Sequence, residues 1–404
     1  MKRITGTLLA ALTLSQVAPA LPTVAFAAEA TATATATEVL GISKTKPASG
    51  PYVEIDGGFM VPYVHEIERT NISFEMIPIP GGTYVIGSPE DEEGRSEDEG
   101  PQFTITVEPF WMAKTELTWG EYKTFMRNYD IFKRLRSRGI RQVDDSNKAD
   151  AVTIPTPLYD PSHTYKFGDD RLQPAVSMTQ YGAKQYTKWL SGVTEIQYRL
   201  PSEGEWEYAA RAGSTTPYSF GATAEDLEKY ATFADNGGDA GASKVGLKEP
   251  NAFGLYDMHG NVWEWTVDQY NSEGYGDKAG KSLSWSEAIA WPEGPDFRAA
   301  RGGGFQDSAD RLRSAARLGS VDEDWKSEDP NVPLSPWWYT SDPARMVGMR
   351  LVRSAKPLPK EEISKFWDAG DESTLSDVEF RLKEGRGATG LPVPDLIPDF
   401  QRRK

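Results

Sequence analysis

The chain has 404 residues, 60 acidic against 44 basic side chains, and a formal net charge of -16. It has no cysteine and three histidines, His65, His163 and His259, which excludes disulfides, thiolate nucleophiles and zinc–cysteine sites. The acidity argues against sequence-independent nucleic-acid binding, which needs basic surface to displace counterions; its plainest use is solubility.

Lys2 and Arg3 precede an apolar run from Ile4, and Ala25-Phe26-Ala27 supplies a small-x-small cleavage pattern. Residues 1–27 are therefore expected to be an export signal, leaving a periplasmic or extracellular protein. Gln16, Pro19 and Pro22 interrupt the run short of the roughly 20 apolar residues that a membrane span needs. No later stretch is apolar enough to span a bilayer. Residues 28–73 read as a flexible linker, with a TATATATEV repeat and the run Lys46-Pro47-Ala48-Ser49-Gly50-Pro51. A main domain is expected over 74–354, followed by a C-terminal extension, 355–404. Within that extension Glu361 to Lys383 has helical character through Phe366, Trp367, Leu375 and Phe380, and either packs on the body or binds a partner.

In the body, Phe103 to Val107 alternates as a strand. Three helices are marked by their caps. Thr118-Trp119-Gly120-Glu121 forms a capping box for a helix to about Asn128. Thr179 opens a second helix, which buries Tyr186, Trp189 and Leu190 and ends at Gly192. Ser202-Glu203-Gly204-Glu205 caps a third, carrying Trp206 and Tyr208 to Gly213. Long Gly- and Pro-rich loops separate these elements, so the fold class is α+β with little regular structure.

Six segments in order then resemble the formylglycine-generating enzyme, or sulfatase-modifying factor, family. They are Met76–Ser88 (MIPIPGGTYVIGS), Phe110–Thr118 (FWMAKTELT), Arg199–Arg211 (RLPSEGEWEYAAR), Asn251–Trp265 (NAFGLYDMHGNVWEW), Arg301–Phe305 (RGGGF) and Gly348–Val352 (GMRLV). The resemblance implies that family's variant of the C-type-lectin fold. It also implies an oxidase that binds copper between two cysteines flanking a short arginine-containing stretch, here Ser308–Arg317 (SADRLRSAAR). By that resemblance Ala309 and Ser314 stand at the cysteine positions. Soft Cu(I) requires soft ligands, and neither residue is one, so copper and cysteine-to-formylglycine oxidation are not expected.

Calcium fits better. The family's calcium loop would here supply Asp257, the carbonyls of Gly260 and Val262, and Glu264, with Asn236 as part of a second site; all are the hard oxygens Ca²⁺ prefers. His259 reads as a loop histidine bonded to backbone, for want of a partner nucleophile. Asp307 and Asp310 are an acid/base pair or are simply solvated, or paired with Arg311 and Arg313. The acidic run Glu90–Glu99 reads as a solvated surface loop. The expected function is an exported, calcium-stabilised binding or structural module, a pseudoenzyme. Its groove at Gln306, Asp307, Asp310, Arg313 and Arg317 would take a peptide, glycan or partner protein. The alternative is a cysteine-independent oxidative tailoring enzyme that uses the same groove, residues 301–317.

Overall fold

The computed structural model describes residues 39–383 and 388–389, apart from 68, 69, 71, 141, 145, 146, 159, 295, 296 and 331–333. The expected export signal lies outside them. Four short strands come first: β1 (Ile42–Ser43), β2 (Val53–Ile55), β3 (Gly58–Met60) and β4 (Tyr63–Ile67). Met60, Tyr63 and Ile67 are buried in the main core. The linker expected over 28–73 is thus corrected: from about Leu40 the chain is folded. Its few apolar residues are spaced to reach the core, which average composition conceals.

The next strands are β5 (Ile72–Ile79), β6 (Gly82–Ile86), β7 (Phe103–Val107) and β8 (Phe110–Ala113). In β7, Phe103, Ile105 and Val107 are buried while Thr104 and Thr106 are not, the alternation of a half-buried strand. Helices α1 (Trp119–Met126) and α2 (Asn128–Ser137) follow, then β9 (Thr153–Ile154), α3 (Pro161–Thr164), α4 (Gln180–Thr194), α5 (Glu203–Arg211) and α6 (Leu227–Tyr230). Both capping boxes form. The Glu121 carboxylate accepts from the Thr118 amide at 2.9 Å and Glu205 from the Ser202 amide at 3.0 Å. Helix α4 runs through Gly192 to Thr194 and stops where Glu195 turns left-handed, φ 58.

Strands β10 (Trp263–Gln269), β11 (Ser282–Ser284), β12 (Arg298–Arg301) and β13 (Arg317–Gly319) precede the short helix α7 (Asp322–Trp325), and β14 (Val347–Gly348) and β15 (Val352–Ser354) complete the body. Two four-stranded sheets, β13-β12-β10-β14 and β15-β8-β5-β4, and a three-stranded one, β11-β7-β6, carry most of the strand residues. Trp111, Trp119, Trp206, Trp263, Trp265 and Trp337 are all fully buried among them. The C-terminal extension packs on this body as α8 (Lys360–Trp367) and α9 (Glu372–Lys383), and β16 (Ala388–Thr389) pairs with β9. Phe366 is buried against the rings of Trp285 and Trp291, and Trp367 Nε1 donates to the Tyr198 carbonyl at 3.0 Å.

Candidate functional site

The loop leading into β10 is tightly constrained. Asp257 and Asn261 both adopt left-handed backbone, φ 59 and φ 64, with Gly260 at φ 148 between them. A Cβ on Gly260 would lie 2.5 Å from the Thr232 carbonyl oxygen, so only glycine fits. Asn261 is then used on every side. Its amide donates to the Thr232 carbonyl, its Oδ1 accepts from the Ser243 amide at 2.9 Å, and its Nδ2 donates to Glu116 Oε1 at 2.9 Å. Beyond the turn, Trp263 Nε1 donates to Asp307 Oδ2 at 2.7 Å and Trp265 Nε1 to the Met178 carbonyl at 3.0 Å.

The charges behind this loop do not balance by themselves. Glu264 is fully buried; it accepts from Arg350 Nη2 at 2.6 Å and from Trp206 Nε1 at 2.7 Å. Asp257 is also buried, and its Oδ2 accepts from the Gly246 amide at 2.7 Å. Beside it stands Glu116, a residue the sequence reading did not pick out. Burial, and then the charge of Asp257, push the Glu116 carboxyl well above its ordinary value. Burial likewise raises Asp257, against the opposing pull of the Gly246 amide and Arg350. Glu116 Oε2 is buried without a hydrogen-bond partner. Three buried carboxylates thus face the Arg350 guanidinium, and full ionisation leaves two negative charges for protons or a divalent cation to neutralise. The donor chemistry fits calcium, which takes six to eight hard oxygens. Among the described residues no group of three His, Asp or Glu side chains converges as a metal cage. Main-chain oxygens such as those of Gly260 and Val262 must therefore complete any shell. Asn236 is placed differently: it is exposed, with its Oδ1 on the Phe233 amide at 2.9 Å and its Nδ2 on the Ala231 carbonyl at 3.0 Å.

In the second candidate region, residues 301–317, the arginines point inward. Arg301 pairs with Glu203 at 2.9 Å and Glu207 at 2.5 Å, and Arg317 pairs with Glu203 at 2.7 Å. Arg313 pairs with Glu99 at 2.5 Å and Glu92 at 2.6 Å. The acidic run Glu90–Glu99, expected as a solvated loop, is corrected here: its Glu92 and Glu99 side chains fold in to clamp Arg313. Breaking such a buried pair costs about 3–5 kcal/mol. Arg313 and Arg317 are therefore framework, whereas Gln306 and Asp310 remain exposed. Asp307 holds the Trp263 indole and the Gly304 amide, and Asp310 accepts from Ser308 Oγ at 2.5 Å, so each has its own partner. Ala309 is partly exposed in a single 3₁₀ turn. Ser314 is fully buried, with a hydroxyl that has no hydrogen-bond partner.

The histidines lie in three separate surroundings. His65 Nδ1 is 2.6 Å from the Tyr198 hydroxyl, and the exposed His163 faces Glu328 at 3.2 Å. His259 is buried, with Nδ1 on the Leu312 carbonyl at 2.9 Å; burial lowers its pKa to about 4. Two concavities flank the region. One, about 420 Å³, runs along β6 and is lined by Thr83, Tyr84, Val85, Gln102, Tyr208 and Arg211 among others. The other, about 270 Å³, lies beside Arg317, Tyr275 and Trp285.

Short sheets around buried indoles, capped helices and a Gly-Asn loop backed by carboxylates define an α+β frame of the formylglycine-generating type. Residues 64–328 match the sulfatase-modifying factor enzyme 1-like domain, and the chain belongs to that family. It is 27% identical over 272 residues to a formylglycine-generating enzyme of Thermomonospora curvata, covering 60% of this chain and 87% of the relative. It is 27% identical over 276 residues to the inactive C-alpha-formylglycine-generating enzyme 2 of Mus musculus, covering 61% and 80%. It is also 30% identical over 255 residues to the serine/threonine-protein kinase pkn1 of Chlamydia pneumoniae; that match covers 60% of this chain and only 35% of the kinase. Unlike an oxidase that works through two thiols, this member has no cysteine at all.

Proposed function

We propose that the chain is an exported, cation-stabilised recognition module that keeps the family frame without its thiol oxidation. The observation that carries this is the state of the Ser308–Arg317 stretch. Ala309 and Ser314 offer no soft ligand for copper, and the neighbouring arginines are tied into internal ion pairs. The relative from Mus musculus is itself described as inactive, which supports the same reading.

Calcium would be held by Asp257 and Glu264 with the carbonyls of Gly260 and Val262, and Glu116 would add a carboxylate at the back of the loop. When bound it supplies positive charge that ties the loop to the core, and no redox chemistry. For recognition, the cleft along β6 is the favoured surface. β6 is an edge strand, so it can pair with an added strand, and Val85 on it is half exposed. The cleft lining holds aromatic and uncharged polar groups, and its one charged side chain, Arg211, is paired to Glu207 at 2.8 Å. That suits an extended peptide better than acid–base chemistry. Capture from a peptide library should fall roughly tenfold in Val85→Asp, the scale of a modest interface contact. Equal capture by the two proteins would remove the cleft from the account.

A further inference from the structure

His259 sits within the proposed cation loop, between Asp257 and Gly260, but its ring turns away from the carboxylates and forms a pair with Ser219. His259 Nδ1 lies 2.9 Å from the Leu312 carbonyl, which can only accept, so this nitrogen carries the proton. Nε2 receives the Ser219 amide at 3.1 Å, which can only donate, so this nitrogen carries a lone pair. The Ser219 hydroxyl is 2.9 Å from the same nitrogen. The tautomer is therefore set by geometry, and it is the one a general base requires. The amide and the hydroxyl of Ser219 share the one lone pair of Nε2, and the hydroxyl is the nearer of the two.

The surroundings suit a reaction site. Ser219 is partly exposed, whereas His259 is buried beneath it. Phe220 is stacked between Tyr218 and Tyr230, at centroid distances of 5.2 Å and 4.4 Å, and stands edge-on to His259. Tyr218 Oη donates to the Ala309 carbonyl at 2.8 Å, which anchors the Ser219 loop to the stretch where the family resemblance places a reactive cysteine.

We propose that Ser219 is a nucleophile, with His259 as its general base and the Leu312 carbonyl orienting the imidazole, and that it accepts the acyl group of an aromatic ester. Ser219 Oγ would form a bond to the ester carbonyl carbon as its proton passes to His259 Nε2. The tetrahedral adduct then expels the aryloxide, which recovers that proton, and water later releases the acid by the reverse sequence. The aromatic column beside Ser219 favours a flat, apolar leaving group. This adds an activity to the binding role and does not depend on it.

The test is acetylation of the whole chain by p-nitrophenyl acetate, localised by peptide mass mapping and followed by nitrophenolate release. The wild type should carry an acetyl group on Ser219. The adduct and the matching release should fall roughly a hundredfold in Ser219→Ala, a change at a partly exposed position, and in His259→Gln where its melt matches the wild type. No adduct on Ser219, equal release from Ser219→Ala, or undiminished acetylation in a folded His259→Gln would overturn the proposal.

Discussion

Behind the Gly-Asn turn, Glu116 is buried with Asp257 and Glu264, the two acids that bracket the turn in one short segment. Glu116 reaches the same place from 145 residues away through Asn261, a contact no local pattern encodes. If its carboxylate is part of a cation site, calcium at a hundred times its dissociation constant should add about 2.7 kcal/mol of stability over chelator. Glu116→Gln should shrink that gain. In chelator at pH 7 the same variant should be more stable than wild type by about 1–3 kcal/mol, the scale of an unsatisfied buried polar group. Thermal melts of the two proteins with and without calcium decide the matter; a wild-type calcium shift left intact in the variant would place the ion elsewhere. The pH dependence has a defined sign. Asp257 and Glu116 bind protons more tightly when folded, so protonation stabilises the chelated protein fully below their ordinary values of 3.8 and 4.5. That stabilisation is lost as pH rises through the raised values. Calcium competes with those protons, so its stabilising shift should grow as pH rises through the raised values. A flat or shrinking shift would count against the site.

At the level of elements, caps were readable because they are local chemistry. Thr118 with Glu121 and Ser202 with Glu205 announce helices within four residues, and both bond as the capping box requires. Gly192 misled because a mid-helix glycine is indistinguishable by sequence from a terminating one; the stop came at Glu195 instead. The strands between Ile42 and Ile67 were hidden by their low apolar content, since each supplies only one or two core residues. The C-terminal extension was legible as helix but not as partner. Its docking depends on Phe366 meeting Trp285 and Trp291, and on Asp371 meeting Arg298 at 2.9 Å. Phe366→Ala should therefore destabilise the whole protein by about 3–5 kcal/mol in urea unfolding, as for other buried aromatic truncations. A change below about 1 kcal/mol would mean that the extension is an appendage whose contacts contribute little.

Across the whole molecule, the missing cysteines acquire their meaning from what surrounds them. The family domain is present, and in this chain it is built on buried indoles, a Gly-Asn loop, and buried arginines of the 301–317 region paired with glutamates. Long-range pairs such as Arg313 with Glu99, 214 residues apart, hold that region where sequence alone suggested exposed ligand-binding arginines. The chain has no cysteine, and so offers none of the thiolate donors that soft Cu(I) prefers. The most direct test is to incubate the purified protein with a cysteine-bearing sulfatase peptide, copper and oxygen, and to follow the peptide by mass. An unchanged cysteine is expected under conditions in which a formylglycine-generating enzyme converts it. Formation of the aldehyde by this cysteine-free chain would contradict the account at its centre.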